Sequence, residues 1–103
     1  MNSVIIELKT NAARDYILFS GLMHWFEKDI LGGKSKKFKA KRTATVQYGN
    51  APPVADDIDA TKSIFRSRRK SLARKFLDEN NLLPRDLIKL EKLAPYTYRF
   101  SKI

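Results

Sequence analysis

The chain has 103 residues, no cysteine and a formal net charge of +10 at pH 7. A chain of this length builds one modest core, and without cysteine it has no disulfide, zinc–thiolate site or cysteine nucleophile. A hydrophobic content of 43%, with 11% aromatic residues, is too high for a disordered tail. We therefore expect a single compact domain over residues 1–103.

The sequence also bears on the compartment. The N-terminus lacks the basic n-region of a secretory signal. The longest apolar stretch, residues 16–31, is interrupted by polar and charged residues, which excludes a membrane span. We expect a cytoplasmic protein with no membrane partner.

A strand and a long helix are predicted first. Residues 3–8 are β-branched and largely apolar on both faces, which favours a central strand. From Ala12 to Ile30 apolar side chains recur every three or four residues, the period of one helical face, and Gly32 and Gly33 end the pattern. Additional apolar residues give this helix a second face, which would suit a homodimer seam or a protein interface: Leu18, Leu22 and Trp25.

Basic and apolar residues alternate in the next segment. Residues 36–48 follow period two, with lysines on one side and Phe38, Val46 and Tyr48 on the other. The pattern predicts a long strand with a cationic face. Its first half can project beyond the sheet, so that residues 34–42 form a mobile basic arm. We place Phe38, Phe100 and one pair of tyrosines in the core.

The second half of the chain predicts a loop, two helices and a last strand. Residues 49–59 contain two prolines and three aspartates, which fit a loop whose acids cap the following helix. Helices are expected over 60–80 and 84–93, and a strand over 96–102. The order β-α-β-α-α-β predicts an α+β fold with a three-stranded, mainly antiparallel sheet and helices packed on one face.

More than half of the 21 lysines and arginines lie in two short blocks that contain no acidic residue. Clustered cations repel one another, and an anionic partner relieves that repulsion. A nucleic-acid backbone is such a partner, because each neutralised phosphate releases condensed counterions. The first block is Lys34, Lys36, Lys37, Lys39, Lys41 and Arg42, and the second is Arg66, Arg68, Arg69, Lys70, Arg74 and Lys75.

These blocks predict a non-enzymatic nucleic-acid-binding protein. Tyr48, at the end of a predicted strand, is the first candidate for stacking on an unpaired base, and Tyr98 is the alternative. RNA is favoured over DNA, because a cationic strand beside a cationic helix forms a flat or grooved surface and not a lone reading helix. The predicted phosphate contacts are Lys36, Lys37, Lys39, Lys41 and Arg42 in one block, and Arg66, Arg69, Lys70 and Arg74 in the other.

Catalytic and cofactor motifs are incomplete. Gly33-Lys34-Ser35 lacks the earlier glycine of a P-loop, because Lys28 stands in its place. His24 is the single histidine, and the sequence supplies no companion for metal binding or proton transfer. We expect no metal, cofactor or catalytic residue, and a small ribonuclease using His24 is a third hypothesis.

In general character the chain resembles the small basic accessory proteins that tailed phages make early in infection. It is basic, cysteine-free and of mixed α+β pattern, and no motif carries the resemblance. The resemblance implies that the protein blocks or redirects a host factor in the host cytoplasm, for example a toxin or defence ribonuclease, directly or through bound RNA. The alternative function is therefore a protein-binding inhibitor whose basic face docks on an acidic patch of a host enzyme.

Overall fold

The computed structural model describes residues 2–8, 17–66 and 70–103, without the side chains of Lys70 and Ser71. Within these ranges the chain forms two sheets, three short 3-10 turns and one α-helix. In chain order the strands and the helix are β1 (Ser3–Glu7), β2 (Leu31–Gly32), β3 (Ala44–Tyr48), β4 (Val54–Asp56), β5 (Ile58–Asp59), β6 (Ile64–Phe65), α1 (Lys70–Glu79), β7 (Leu87–Ala94) and β8 (Thr97–Lys102).

The larger sheet has the order β1-β7-β8-β3-β4, and the smaller has the order β2-β5-β6. In the larger sheet β3 and β8 pair in parallel and the other neighbours are antiparallel. This β-rich architecture contradicts the predicted three-stranded sheet with helices on one face. The largest errors arise in the segments that were predicted to be helical.

The first predicted helix is wrong over residues 17–30, and residues 9–16 lie outside the described ranges. Gly21 adopts a φ of +83° in a turn, and the chain continues through 3-10 turns at Met23–Trp25 and Lys28–Ile30. The apolar residues at helical spacing are buried by an irregular path: Phe19, Phe26 and Ile30 are at most 4% exposed. Without this helix, the predicted homodimer seam loses its basis.

The third predicted helix is strand β7. Buried and partly exposed residues alternate along it. Ile88 and Leu90 are fully buried, whereas Lys89 and Glu91 are partly exposed. This alternation is the period of a strand with one buried face. A turn at Pro95 and Tyr96 joins β7 to β8, with Tyr96 in the left-handed region at φ +60°.

Strands β1 and β8 confirm two predicted strands. However, β1 pairs with β7 alone among the described strands, so it is an edge strand and not a central one, and Ile5 is 54% exposed. Strand β3 is much shorter than predicted, because residues 36–43 do not join the sheet. The expected loop over 49–59 contains β4 and β5.

Helix α1 is the only part of the predicted 60–80 helix that forms among the described residues. Ala73, Phe76 and Leu77 face the core and are at most 4% exposed. Asp59 caps a turn instead of a helix: its Oδ1 accepts hydrogen bonds from the Thr61 N–H and hydroxyl at 3.0 and 2.6 Å. That turn leads into β6.

The core contains a cluster of aromatic rings around β8. Tyr98 and Phe100 are fully buried, and their neighbours across the core include Phe26 at 5.3 Å and Phe65 at 5.9 Å between ring centroids. Tilted and edge-on contacts of this kind add to the stabilisation from burial. In the described ranges no helix is long and apolar enough to cross a membrane.

Candidate nucleic-acid interface

The first basic block forms a surface loop, which we call the cationic loop (residues 34–42). It contains a 3-10 turn at Lys36–Phe38 and carries no regular strand. All of its cations are exposed: Lys34, Lys36, Lys37, Lys39, Lys41 and Arg42. The exposure of these side chains agrees with the prediction, whereas the predicted strand does not form over residues 36–43.

Backbone hydrogen bonds close the cationic loop. The Gly33 N–H donates to the Phe38 carbonyl at 2.7 Å, and the Phe38 N–H donates to the Ser35 carbonyl at 2.9 Å. At the far end, the Arg42 N–H donates to the Asp29 carbonyl at 3.1 Å. These bonds fix the loop ends and its central turn, so the cations are presented on a defined backbone.

An ion pair between Arg66 and Asp57 supports the loop from below. Arg66 Nε lies 2.9 Å from Asp57 Oδ1, Nη2 lies 3.1 Å from Oδ2, and both side chains are 8% exposed. Arg66 Nη2 also donates to the Gly33 carbonyl at 2.8 Å, and Asp57 Oδ2 accepts from the Ala40 N–H at 2.8 Å. Both edges of the loop are thereby tied to one buried pair.

Arg66 therefore has a structural role in place of the predicted phosphate contact. Its hydrogen bond with Asp57 raises the pKa of the guanidinium, which outweighs the opposing effect of burial. Its donors are directed at Asp57, Gly33 and Ile58. Sequence reasoning missed the pair because it assigned Asp57 to helix capping.

Two glycines allow the backbone to pass this close. A Cβ on Gly32 would lie 2.6 Å from the Ala40 nitrogen and 2.7 Å from Asp57 Oδ2, and a Cβ on Gly33 would lie 2.7 Å from the Phe38 Cβ. Contacts of this length are not available to a larger residue without movement of the loop. Gly32 and Gly33 thus serve the loop geometry, in place of the predicted helix end.

Arg42 lies against an aromatic ring at the end of the loop. Its guanidinium carbon is 3.5 Å from the centroid of Tyr96, close enough for a cation–π contact. The Tyr96 hydroxyl donates to Asp29 Oδ2 at 2.9 Å, and this bond is the largest cause of the raised pKa of Tyr96. The Tyr96 ring thus positions the Arg42 side chain, and the Asp29 carbonyl holds the Arg42 backbone, while the side chain stays exposed.

Glu27 anchors the Tyr96 turn. Its carboxylate accepts hydrogen bonds from the Tyr98 hydroxyl and, at 2.9 Å, from the Tyr96 N–H, and lies 3.1 Å from Lys92 Nζ. Burial opposes ionisation of Glu27, but these partners outweigh it and lower the pKa of the carboxyl to about 2. The ionised Glu27 therefore connects the turn beneath Arg42 to the core.

Tyr48 does not occupy the predicted base-stacking position. It is 5% exposed and stacks on Phe100, with ring centroids 5.1 Å apart and an interplanar angle of 18°. Burial, aided by the charge of Asp56, raises the pKa of its hydroxyl. In this structure Tyr48 is a core residue.

Among the described residues the exposed aromatic side chain is that of Phe38, so its predicted place in the core is wrong. It is 61% exposed and lies between Lys37 and Lys39 in the cationic loop. The signal that could have identified it is its setting, because residues 34–39 contain no other large apolar side chain to form a buried face.

The second basic block is only partly described. Arg68 and Arg69 lie outside the described residues, and the side chain of Lys70 is likewise outside them. Arg74 is exposed on α1. Since four residues span at most about 14 Å, α1 begins within that distance of Arg66.

Charge compensation is uneven across the surface. Ion pairs join Asp57 with Arg66, Lys89 with Glu91, and Lys92 with Glu27. By contrast, among the residues that the structure describes, no carboxylate lies within ion-pair distance of the lysines of the cationic loop. The loop is therefore a cluster of exposed positive charge.

The sequence raises two catalytic alternatives, a ribonuclease that uses His24 and a metal site. His24 is exposed in a 3-10 turn. Within the described ranges, no group of three or more histidine or acidic side chains is arranged to hold a metal ion.

Comparison with known proteins gives no assignment. No family model matches the chain, and no curated protein or solved structure shows significant similarity to it. A function is therefore inferred from the residues of this chain.

Proposed function

We propose that the protein binds nucleic acid by phosphate contacts from the cationic loop. One observation carries the proposal: six exposed cations lie on a loop whose backbone is tied at both edges, and its lysines have no carboxylate partner among the described residues. The contact residues are Lys34, Lys36, Lys37, Lys39, Lys41 and Arg42.

The fixed backbone favours binding. A loop that is already ordered loses less conformational entropy when a ligand docks. Phosphate contact also reduces the repulsion among neighbouring cations and releases counterions from the nucleic acid. Six contacts with a single strand would give a log–log dependence of affinity on salt with a slope of roughly −4.

The second block can extend the contact surface. Arg69, Lys70 and Arg74 follow Arg66, which holds the base of the loop, along the chain. Helix α1 is unsuited to reading a groove alone, because its described exposed residues mix the cations Arg74 and Lys75 with the acids Asp78 and Glu79. This mixture supports RNA as the favoured ligand over sequence-read DNA.

The resemblance to phage accessory proteins suggests the setting. In that setting the protein acts in the host cytoplasm and counteracts a toxin or defence ribonuclease through the RNA that it binds.

Fluorescence anisotropy tests the proposal. Protein purified after nuclease treatment is titrated into labelled single-stranded RNA, duplex RNA and duplex DNA at several salt concentrations. Lys37→Glu combined with Lys39→Glu should lower affinity at least about tenfold and flatten the salt slope, because two phosphate contacts become repulsions.

Lys102→Glu is the matched control. Lys102 is an exposed lysine at the end of β8 opposite to Tyr96, and its reversal is compared with the single variant Lys37→Glu, so the same charge change is made away from the loop. It should lower affinity by a much smaller factor. An absence of binding at low salt would contradict the proposal and favour the protein-binding inhibitor, which would form a discrete complex that survives nuclease treatment.

A further inference from the structure

Phe38 stands apart from the other phenylalanines. The chain has six, and the other five are between 0 and 4% exposed, whereas Phe38 is 61% exposed. The other exposed large apolar side chains in the described ranges are aliphatic. Phe38 is therefore the one phenylalanine whose ring is open to a ligand in the free protein.

The loop itself holds Phe38 outward. Its N–H donates to the Ser35 carbonyl and its carbonyl accepts from the Gly33 N–H, so both backbone groups are occupied within the loop. Its Cβ packs so closely on Gly33 that a methyl group at Gly33 would lie 2.7 Å from it. The side chain leaves the loop from a fixed point and does not reach the core.

The charge around the ring indicates what it contacts. Lys37 and Lys39 flank Phe38 directly, and Lys34 and Lys36 lie a few residues before it, with no acidic residue between them. An apolar protein partner would leave these ammonium groups without compensation. A nucleic acid offers both an aromatic face for the ring and phosphates for the lysines.

We propose that Phe38 stacks on an unpaired base while the flanking lysines hold adjacent phosphates, so that the preferred ligand is single-stranded nucleic acid. This inference rests on the proposed function and specifies its ligand. In a duplex both faces of a base are already stacked, and a side chain reaches them only by unstacking a step at a cost. In a single strand the face is available, and aromatic stacking tolerates any base sequence.

The test compares ligands with and without bases. Affinities of wild-type protein and of Phe38→Ala are measured by anisotropy for a labelled single-stranded RNA and for its duplex, and heparin affinity is measured by competition. Phe38→Ala should lower the single-strand affinity about tenfold. Heparin carries negative charge but no bases, so its affinity should change less than about twofold, because the lysines that bind its charges are retained.

Two further variants serve as controls. Leu83→Ala removes an apolar side chain of similar exposure, 64%, near the opposite end of β7 from the Tyr96 turn, and should leave both affinities unchanged. Phe38→Trp should restore single-strand binding, and the fluorescence of the introduced indole should be quenched by the oligonucleotide but not by heparin.

The outcomes separate the two proposals. Steep salt dependence with equal single-strand affinity for wild type and Phe38→Ala would overturn the stacking inference and leave nucleic-acid binding intact. Equal losses toward RNA and heparin would also overturn it, because Phe38 would then be shaping the loop. A preference for the duplex would overturn the single-strand assignment, and no binding to any probe at low salt would overturn the proposed function itself.

Discussion

Arg66 and Asp57 form a two-point ion pair, and two of its atoms, Arg66 Nη2 and Asp57 Oδ2, also hold the backbone at the two edges of the cationic loop. The pair is 8% exposed on each side, and it also binds the Gly33 carbonyl and the Ala40 N–H. A charge from the second basic block thus positions the charges of the first. The buried ion pair, which includes the Asp57 carboxylate, holds the loop backbone in place against the repulsion among the loop cations.

Arg66→Met should destabilise the protein by about 3–5 kcal/mol, because it leaves the buried Asp57 carboxylate without its partner. Urea denaturation at pH 7 measures the change. Arg66→Met combined with Asp57→Asn should recover part of the loss, since the uncompensated charge is removed. Lys75→Met, at an exposed cation of the same sequence block, should change stability by less than about 0.5 kcal/mol. Equal stability of Arg66→Met and wild type would contradict a structural role for the pair.

Gly32→Ala should displace the cationic loop. The added methyl group would lie 2.6 Å from both the Ala40 nitrogen and Arg66 Nη2, so the loop and the ion pair must separate. We expect a loss of about 1–3 kcal/mol and large shifts of the amide resonances of residues 33–40 in a ¹H–¹⁵N spectrum.

Gly21→Ala is the control for Gly32→Ala. Gly21 has open space around its Cα but a φ of +83°, so this substitution costs about 1–2 kcal/mol through backbone strain alone. It should leave the resonances of residues 33–40 in place. Unchanged loop resonances in Gly32→Ala would show that the close approach is not required.

Glu27→Gln should remove a pH-dependent part of the stability. The pKa of Glu27 falls from an ordinary value of 4.5 to about 2, so its contribution is fully present above pH 4.5 and is lost as the pH falls toward 2. At pH 7 the variant should be less stable by about 2–3 kcal/mol. Denaturation curves at pH 7, 4 and 3 should show the gap between wild type and variant closing. A gap independent of pH would contradict the assignment to the charge of Glu27.

Local patterns located several elements correctly. Alternation in Thr97–Lys102 and the β-branched run of Ser3–Glu7 predict strands that form, and Phe76 and Leu77 predict the buried side of α1. These signals lie within a few residues, and their period is that of the element they form.

Other elements depend on contacts between distant residues. Leu87, Leu90 and Leu93 recur at helical spacing, but pairing with β1 and β8 on either side makes this segment a strand in which Leu87 and Leu93 are exposed. Phe19, Phe26 and Ile30 recur at helical spacing, yet two 3-10 turns bring them into the core. Tertiary packing overrides a short-range period in both cases.

The sequence predicts which residues form the candidate site but not how the site is held together. The cations of residues 34–42 are exposed as expected, because a run with no acid and one large apolar residue has little to bury. The support of the loop could not be predicted, since Arg66 reaches Gly33 across 33 positions of the sequence. For the same reason the sequence predicts Phe38 in the core and Tyr48 at the surface, whereas the structure has Tyr48 buried and Phe38 exposed.

Tyr48→Leu and Phe38→Ala should therefore have opposite effects. Tyr48 stacks on Phe100 in the core, so replacing its ring should lower stability by about 1–3 kcal/mol. Its single-strand RNA affinity should match wild type under conditions where the variant is folded. Phe38→Ala should keep the stability of wild type, because the ring is already exposed, and lose affinity. Urea denaturation and anisotropy on the same preparations measure both effects. If folded Tyr48→Leu instead binds RNA tenfold more weakly, Tyr48 contacts the base after all. Its ring would then have to leave Phe100 when RNA binds.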